Sequence, residues 1–248
     1  MDRLKGKRSL ITGGSSGIGL ETARQFVAEG ARVAITARSA DAFKDARQTL
    51  GDGVVYIVSD AGDACGHKKV AERIEQGFAG LDVLFVNAGL AELKPVDQWD
   101  EAAIDRSFHT NVRGPFFLIQ ALLPLFSNSA SIVLNASINA HVGMPNTSVY
   151  GASKAALLSL SRTLSGELVT RGIRVNAVSP GPIATPLYSK LGLSEVDLTA
   201  TAEALKNQIP ARRFGNPSEI ASAVVFLASD ESAFTVGSEL IVDGGLGL

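Results

Sequence analysis

The chain has 248 residues, 46% hydrophobic and 19% charged, with 25 glycines and a single cysteine, Cys65. A net charge of −2 argues against a general nucleic-acid binder, and one cysteine excludes a disulfide framework and thiolate zinc clusters while fitting a reducing compartment. The length suits one α/β domain, and glycine above the usual ~7% means that tight turns or close backbone approaches are built in.

The charged N-terminus, residues 1–8, lacks the apolar run of a secretory leader. The most apolar stretch, residues 112–126, is interrupted by Arg113, Pro115 and Pro124 and is shorter than the about 20 residues a membrane span needs. A soluble cytoplasmic protein, with no nucleic-acid or membrane partner, is the expectation.

Ser9-Leu10-Ile11-Thr12 reads as the first buried strand and runs into Thr12-Gly13-Gly14-Ser15-Ser16-Gly17-Ile18-Gly19. Gly19, Ala23, Phe26 and Val27 then recur at helical spacing, with Gly30 as a C-cap. Arg32-Val33-Ala34-Ile35-Thr36 is the second strand, and Val54-Val55-Tyr56-Ile57-Val58, ahead of Asp60-Ala61, the third. Val83-Leu84-Phe85-Val86 leads into Asn87-Ala88-Gly89, and Ser131-Ile132-Val133-Leu134 precedes Ser137. A helix follows from near Tyr150, with a stripe of Leu157, Leu160, Leu164 and Leu168 closed by Gly172. Val175-Asn176-Ala177-Val178 ends near Pro180-Gly181. A helix with Ile220, Val224 and Leu227 on one face then precedes the last strand, Glu239-Leu240-Ile241-Val242. Strands apolar on nearly both faces, alternating with helices, imply a single domain over residues 1–248. Its fold is a doubly wound, Rossmann-type parallel sheet of seven strands with helices on both faces.

Glycines between a first strand and a first helix let the backbone approach a pyrophosphate, while the helix start supplies free N–H groups. At the end of the second strand an acid would hold the ribose hydroxyl of NAD. Ala37 stands there instead, and Arg38 beside it can fork onto a 2′-phosphate, so NADP(H) is preferred, with NAD(H) the alternative. Tyr150 and Lys154, four apart on one helix, share a face. Bringing a phenol of pKa about 10 near 7 takes roughly 4 kcal/mol, which a lysine ammonium and a cationic nicotinamide can supply together. Ser137, thirteen residues earlier, lies at the carboxyl edge where such sheets bind ligands; turn capping is the plainer role for it. Asn111 has no propensity reason to sit inside a helix. The long segment 187–208 after the sixth strand is placed as a substrate lid would be. Leu187, Tyr188, Leu191 and Leu193, with Val142 and Met144, suggest an apolar substrate; His141 is a further pocket candidate, although a partly exposed loop histidine is the plainer reading. His67, His109 and His141 are not at metal-ligand spacing, and no metal is expected.

Over its whole length the chain resembles the compact short-chain dehydrogenase/reductase family. Thr12-Gly13-x-x-x-Gly17-Ile18-Gly19, Asn87-Ala88-Gly89, Tyr150-x-x-x-Lys154 and Pro180-Gly181 match that family's motifs in order; Val86 replaces a frequent second asparagine. The resemblance implies that the glycine loop, with Ser15 and Ser16, and Asn87, Ala88 and Gly89 border the nucleotide. It places Asp60 and Ala61 at the adenine, although Asp60 could equally cap a helix. Pro180, Gly181, Ile183 and Thr185 fall on the nicotinamide side. It also implies that Ser137 binds the substrate oxygen, Tyr150 exchanges its proton, Lys154 holds the ribose, and Asn111 keeps a water beside Lys154. A carbonyl reductase, working as a homotetramer on small ketones, aldehydes or alcohols, is the reading that follows. Reduction of 3-oxoacyl groups on acyl carrier protein is the nearest alternative, and a non-catalytic nucleotide sensor is the alternative of another class.

Overall fold

Runs of aliphatic residues form β1 (Arg8–Ile11), β2 (Arg32–Ala37), β3 (Val55–Val58), β4 (Leu81–Val86), β5 (Phe126–Asn135), β6 (Arg174–Pro180) and β7 (Glu239–Val242). The structure, a computed structural model, describes residues 2–185 and 195–248, without the side chains of 195–201. The seven strands are parallel throughout, in the order β3-β2-β1-β4-β5-β6-β7. Their connections contain α1 (Gly17–Ala28), α2 (Lys44–Leu50), α3 (His67–Phe78), α4 (Glu101–Phe108), α5 (Gly114–Leu122), α6 (Ser148–Leu168), α7 (Glu195–Gln208) and α8 (Pro217–Ala228).

Successive residues of each strand face opposite layers, so the sheet carries two cores. Leu10, Leu84 and Ile132 pack with Val70, Leu118 and Leu157 of α3, α5 and α6. Ile11, Phe85 and Val133 pack with Phe26, Ala46 and Val224 of α1, α2 and α8. Each such side chain, fully buried, contributes about 1.5–3 kcal/mol. At the amino edge Arg8 clamps β1 to β4: its backbone N–H and Nε both donate to Asp82 Oδ2 at 2.8 Å. Burial pushes the Asp82 carboxyl up, but these bonds more than offset it and hold its pKa at about 2.

Three sequence expectations change. β7 is the last strand of the sheet and not buried on both faces: Leu240 and Ile241 are 37% and 46% exposed. Val27 turns outward on α1, where Thr22 joins the buried face instead. The segment 187–208 contains a regular helix, α7, from residue 195; Leu187, Tyr188, Leu191 and Leu193 lie outside the described residues. No helix among the described residues is long and apolar enough to cross a membrane.

The strand order reverses between β1 and β4, which opens a crevice at their carboxyl ends. The groups singled out from the sequence lie along that edge.

Candidate active site

The loop from β1 to α1 is shaped by backbone proximity. Gly13 and Gly17 have φ of +64° and +54°. A Cβ on Gly19 would overlap Gly13 O, and one on Gly13 would stand 3.1 Å from Ala88 Cα. Ser16, extended at the head of α1, makes no side-chain cap, so the amides there are left for another acceptor. This cradle fits a pyrophosphate. Ser15 is half-buried, and Ile18 lines the adjoining cleft. Ala37 is buried at the end of β2, while Arg38 is exposed and forms no ion pair among the described residues. Asp60 accepts from Gly62 N–H at 2.8 Å in a local turn; Asp63, not Asp60, caps the next turn. Ala61 is half-buried, its carbonyl pressed on Gly114 at the start of α5.

A chain of amides joins the cradle to the catalytic helix. The N–H groups of Asn87 and Ala88 both donate to Thr12 Oγ1 at 2.9 Å. Asn87 Nδ2 donates to Thr12 O at 3.0 Å and to Gly13 O at 3.2 Å. Asn135 Nδ2 donates to Asn87 Oδ1 at 3.0 Å, and Lys154 Nζ donates to Asn135 O at 2.6 Å. Gly89 passes close to Asn111 and Lys154, a Cβ there lying 3.4 Å from Lys154 Nζ. Asn135 is the link the sequence did not reveal, because an asparagine closing an apolar strand reads as a strand end. Its Oδ1 is buried without a partner among the described residues.

Asn111 lies in a π-helical turn, residues 109–113, between α4 and α5, and not inside a regular helix. Its Nδ2 donates to Leu90 O at 2.8 Å and Ser153 Oγ at 2.9 Å, and its Oδ1 accepts from Leu90 N–H at 2.7 Å. Ser153 in turn donates to Tyr150 O at 2.7 Å. The carboxamide is therefore a brace between the β4 loop and α6. Ser153 had no sequence signal beyond its place in the Tyr-x-x-x-Lys spacer.

Ser137, Tyr150 and Lys154 converge on a cleft of about 280 Å³. Ser137 is 6% exposed in extended backbone after β5, and its Oγ accepts from Asn139 N–H at 3.2 Å, so it caps a turn as well. Tyr150 and Lys154 stand one turn apart on α6, with Nζ 5.8 Å from the ring centre. Burial lowers the Lys154 pKa to about 8. Burial also raises Tyr150, and its hydrogen bond with Ser137 pulls the other way without overcoming it. The free chain thus keeps the phenol protonated.

Pro180, Gly181, Ile183 and Thr185 form the far wall. Ala184 N–H donates to Gly215 O at 2.9 Å and Gly215 N–H to Pro182 O at 3.0 Å, which fixes that wall against the segment before α8. Met144 lines the cleft, but His141 and Val142 line a neighbouring cavity of about 440 Å³. His141 is drawn aside because Nε2 meets Glu239 Oε1 of β7 at 2.6 Å, a carboxylate that Ser179 also contacts. Leu90, Leu93 and Leu205 are also among the lining residues and were not singled out in the sequence. Leu93 offered a signal, being apolar in a loop, and is 43% exposed. Among the described residues no group of three His, Cys, Asp or Glu side chains could hold a metal.

A family model described as enoyl-(acyl carrier protein) reductase matches residues 13–247. An NADP-dependent (R)-specific alcohol dehydrogenase of Lentilactobacillus kefiri is 38% identical over 251 residues, covering 98% of this chain and 98% of the relative. Among solved structures, a short chain dehydrogenase/reductase family protein is 41% identical, with a TM-score of 0.86 over 100% of this chain and 99% of the other. L-sorbose reductase from Gluconobacter frateurii, complexed with NADPH and L-sorbose, has a TM-score of 0.92 at 31% identity, covering 100% and 99%.

Proposed function

From the premise that this chain belongs to the short-chain dehydrogenase/reductase family and is an oxidoreductase acting on CH–OH or C=O groups, we propose that it reduces a ketone or aldehyde with NADPH. The observation that carries this reading is the convergence of Ser137, protonated Tyr150 and Lys154 on one cleft beside the glycine cradle.

The nicotinamide, when bound, supplies the hydride donor or acceptor. The chain supplies the rest. Ser137 Oγ orients the carbonyl oxygen, and Tyr150 Oη gives it a proton as negative charge develops there. A protonated phenol is the form this acid needs. Lys154, buried and poised near pH 8, holds ribose hydroxyls and stabilises the tyrosinate left behind. A water beside Asn111 and Lys154 returns the proton. In the oxidative direction the same groups act in reverse.

Arg38 favours NADPH: it is exposed and unpaired among the described residues beside a cradle that stops at neutral Ala37. The relative from Lentilactobacillus kefiri is NADP-dependent by name, and L-sorbose reductase is complexed with NADPH. Helix α7, which brings Leu205 to the cleft, serves as the described part of a lid over an apolar substrate. A homotetramer remains the family expectation.

The test is NADPH oxidation with a panel of alkyl ketones, functionalised ketones, aldehydes and a 3-oxoacyl thioester. Turnover of simple carbonyls is expected. Turnover of the thioester alone would replace the small-carbonyl reading, and NADPH binding without turnover of any carbonyl would leave a nucleotide sensor.

A further inference from the structure

Asn139 lies two residues beyond Ser137 and is joined to it twice. Its backbone N–H donates to Ser137 Oγ at 3.2 Å, and Ser137 Oγ donates to its Oδ1 at 3.3 Å. Its carbonyl presses on the first turn of α6, where a Cβ on Gly151 would stand 2.8 Å from Asn139 O. The residue is thus gripped between Ser137 and the turn that carries Tyr150. The other half of its carboxamide is unused: Nδ2 is shut off from water and has no hydrogen-bond partner among the described residues. Asn139 nevertheless lines both the cleft and the 440 Å³ cavity beside it. A dry, unpaired donor is costly, and an acceptor that meets it recovers that cost.

We propose that Asn139 selects the substrate, Nδ2 donating to an oxygen on the carbon next to the reacting carbonyl. The preferred substrates are then ketones with an adjacent hydroxyl, keto or ester oxygen, not plain alkyl ketones. This rests on the carbonyl-reduction reading above. The bond from Ser137 to Oδ1 is long; once Ser137 turns its proton to the substrate carbonyl, the carboxamide is free to rotate. The terminal torsion of asparagine is broad enough to allow it. Adjacent placement follows from adjacent anchors, since Ser137 holds the carbonyl oxygen and Asn139 is fastened to Ser137.

The test compares hydroxyacetone with butan-2-one, which differ by a hydroxyl in place of a methyl. Wild type is run beside Asn139→Asp, which keeps an acceptor for Ser137 and loses the donor, and Asn139→Leu, which loses both. Both variants should lower the hydroxyacetone-to-butanone ratio of kcat/KM by about 10–100-fold, because a site built around a hydrogen bond rejects the analogue lacking it. In Asn139→Asp the loss should sit in the KM for hydroxyacetone and exceed any loss on butanone. An unchanged ratio in both variants overturns the proposal. So does an equal loss of both substrates, which would mean that Asn139 only supports Ser137. If wild type turns over no carbonyl, the carbonyl-reduction reading falls, and this inference with it.

Discussion

The two halves of the sheet's carboxyl edge are built differently. Around β1 and β4, Thr12, Gly13 and Asn87 saturate one another through side chain and backbone, and Gly19 sits where no Cβ fits. Around β5 and β6, polar atoms are left over: Asn135 Oδ1 and Asn139 Nδ2 are buried without partners among the described residues. A second cavity opens beside the cleft there, and Leu205 of α7 lines the cleft itself. A half whose turns are pinned by paired amides and close backbone approach suits a ligand that never changes. A half with unpaired groups and a helical cover suits a ligand to be chosen.

Gly19→Val attacks the rigid half most severely, because its side chain must displace Gly13 O. NADPH binding read by fluorescence should weaken by at least about 100-fold, and overpacking should cost about 1–3 kcal/mol of stability. Leu205→Ala, on the other half, should reorder carbonyl preference while leaving NADPH affinity and stability nearly unchanged. Equal effects from both would erase the distinction.

Lys154 tests the meeting point of the halves. Its folded pKa of about 8 lies below the unfolded value near 10.5, so the unfolded chain binds more protons between those limits. Stability should therefore rise with pH from about 8 to 10.5, by about 2–3 kcal/mol relative to Lys154→Met. Denaturant titrations of the cofactor-free protein across that window measure it; parallel curves would show that Lys154 is not strained by burial.

Arg38→Ala is the smaller change. Loss of one charge-assisted fork should lower kcat/KM for NADPH by about 10–30-fold and leave NADH within about twofold. An unchanged NADPH-to-NADH ratio would remove Arg38 from cofactor choice.

Legibility followed the same division. The cradle was readable because close backbone approach and positive φ demand glycine, and Gly13, Gly17 and Gly19 meet such demands within seven residues. Strands covered on both faces announce themselves by unbroken apolar runs, whereas β7 reads the same although it is an edge. Asn111 was visible as an oddity in a helical stretch, but the π-helical turn and the Leu90–Ser153 brace depend on contacts far along the chain. His141, four residues after Ser137, could be read either as a cleft residue or as a partly exposed loop histidine. The choice depends on Glu239, 98 residues away, which holds it beside the neighbouring cavity. Asn135 and Asn139 gave no local sign, since their importance lies in which of their amide atoms find partners.

The central claim is that Tyr150 carries the proton while the β1–β4 half holds the cofactor. NADPH affinity and carbonyl turnover measured together on wild type and Tyr150→Phe test it most directly. The account predicts that turnover falls by about 10²–10⁴-fold, the range for loss of a general acid, while NADPH affinity stays within about threefold. Turnover within a few fold of wild type, or loss of NADPH binding in step with turnover, would contradict it.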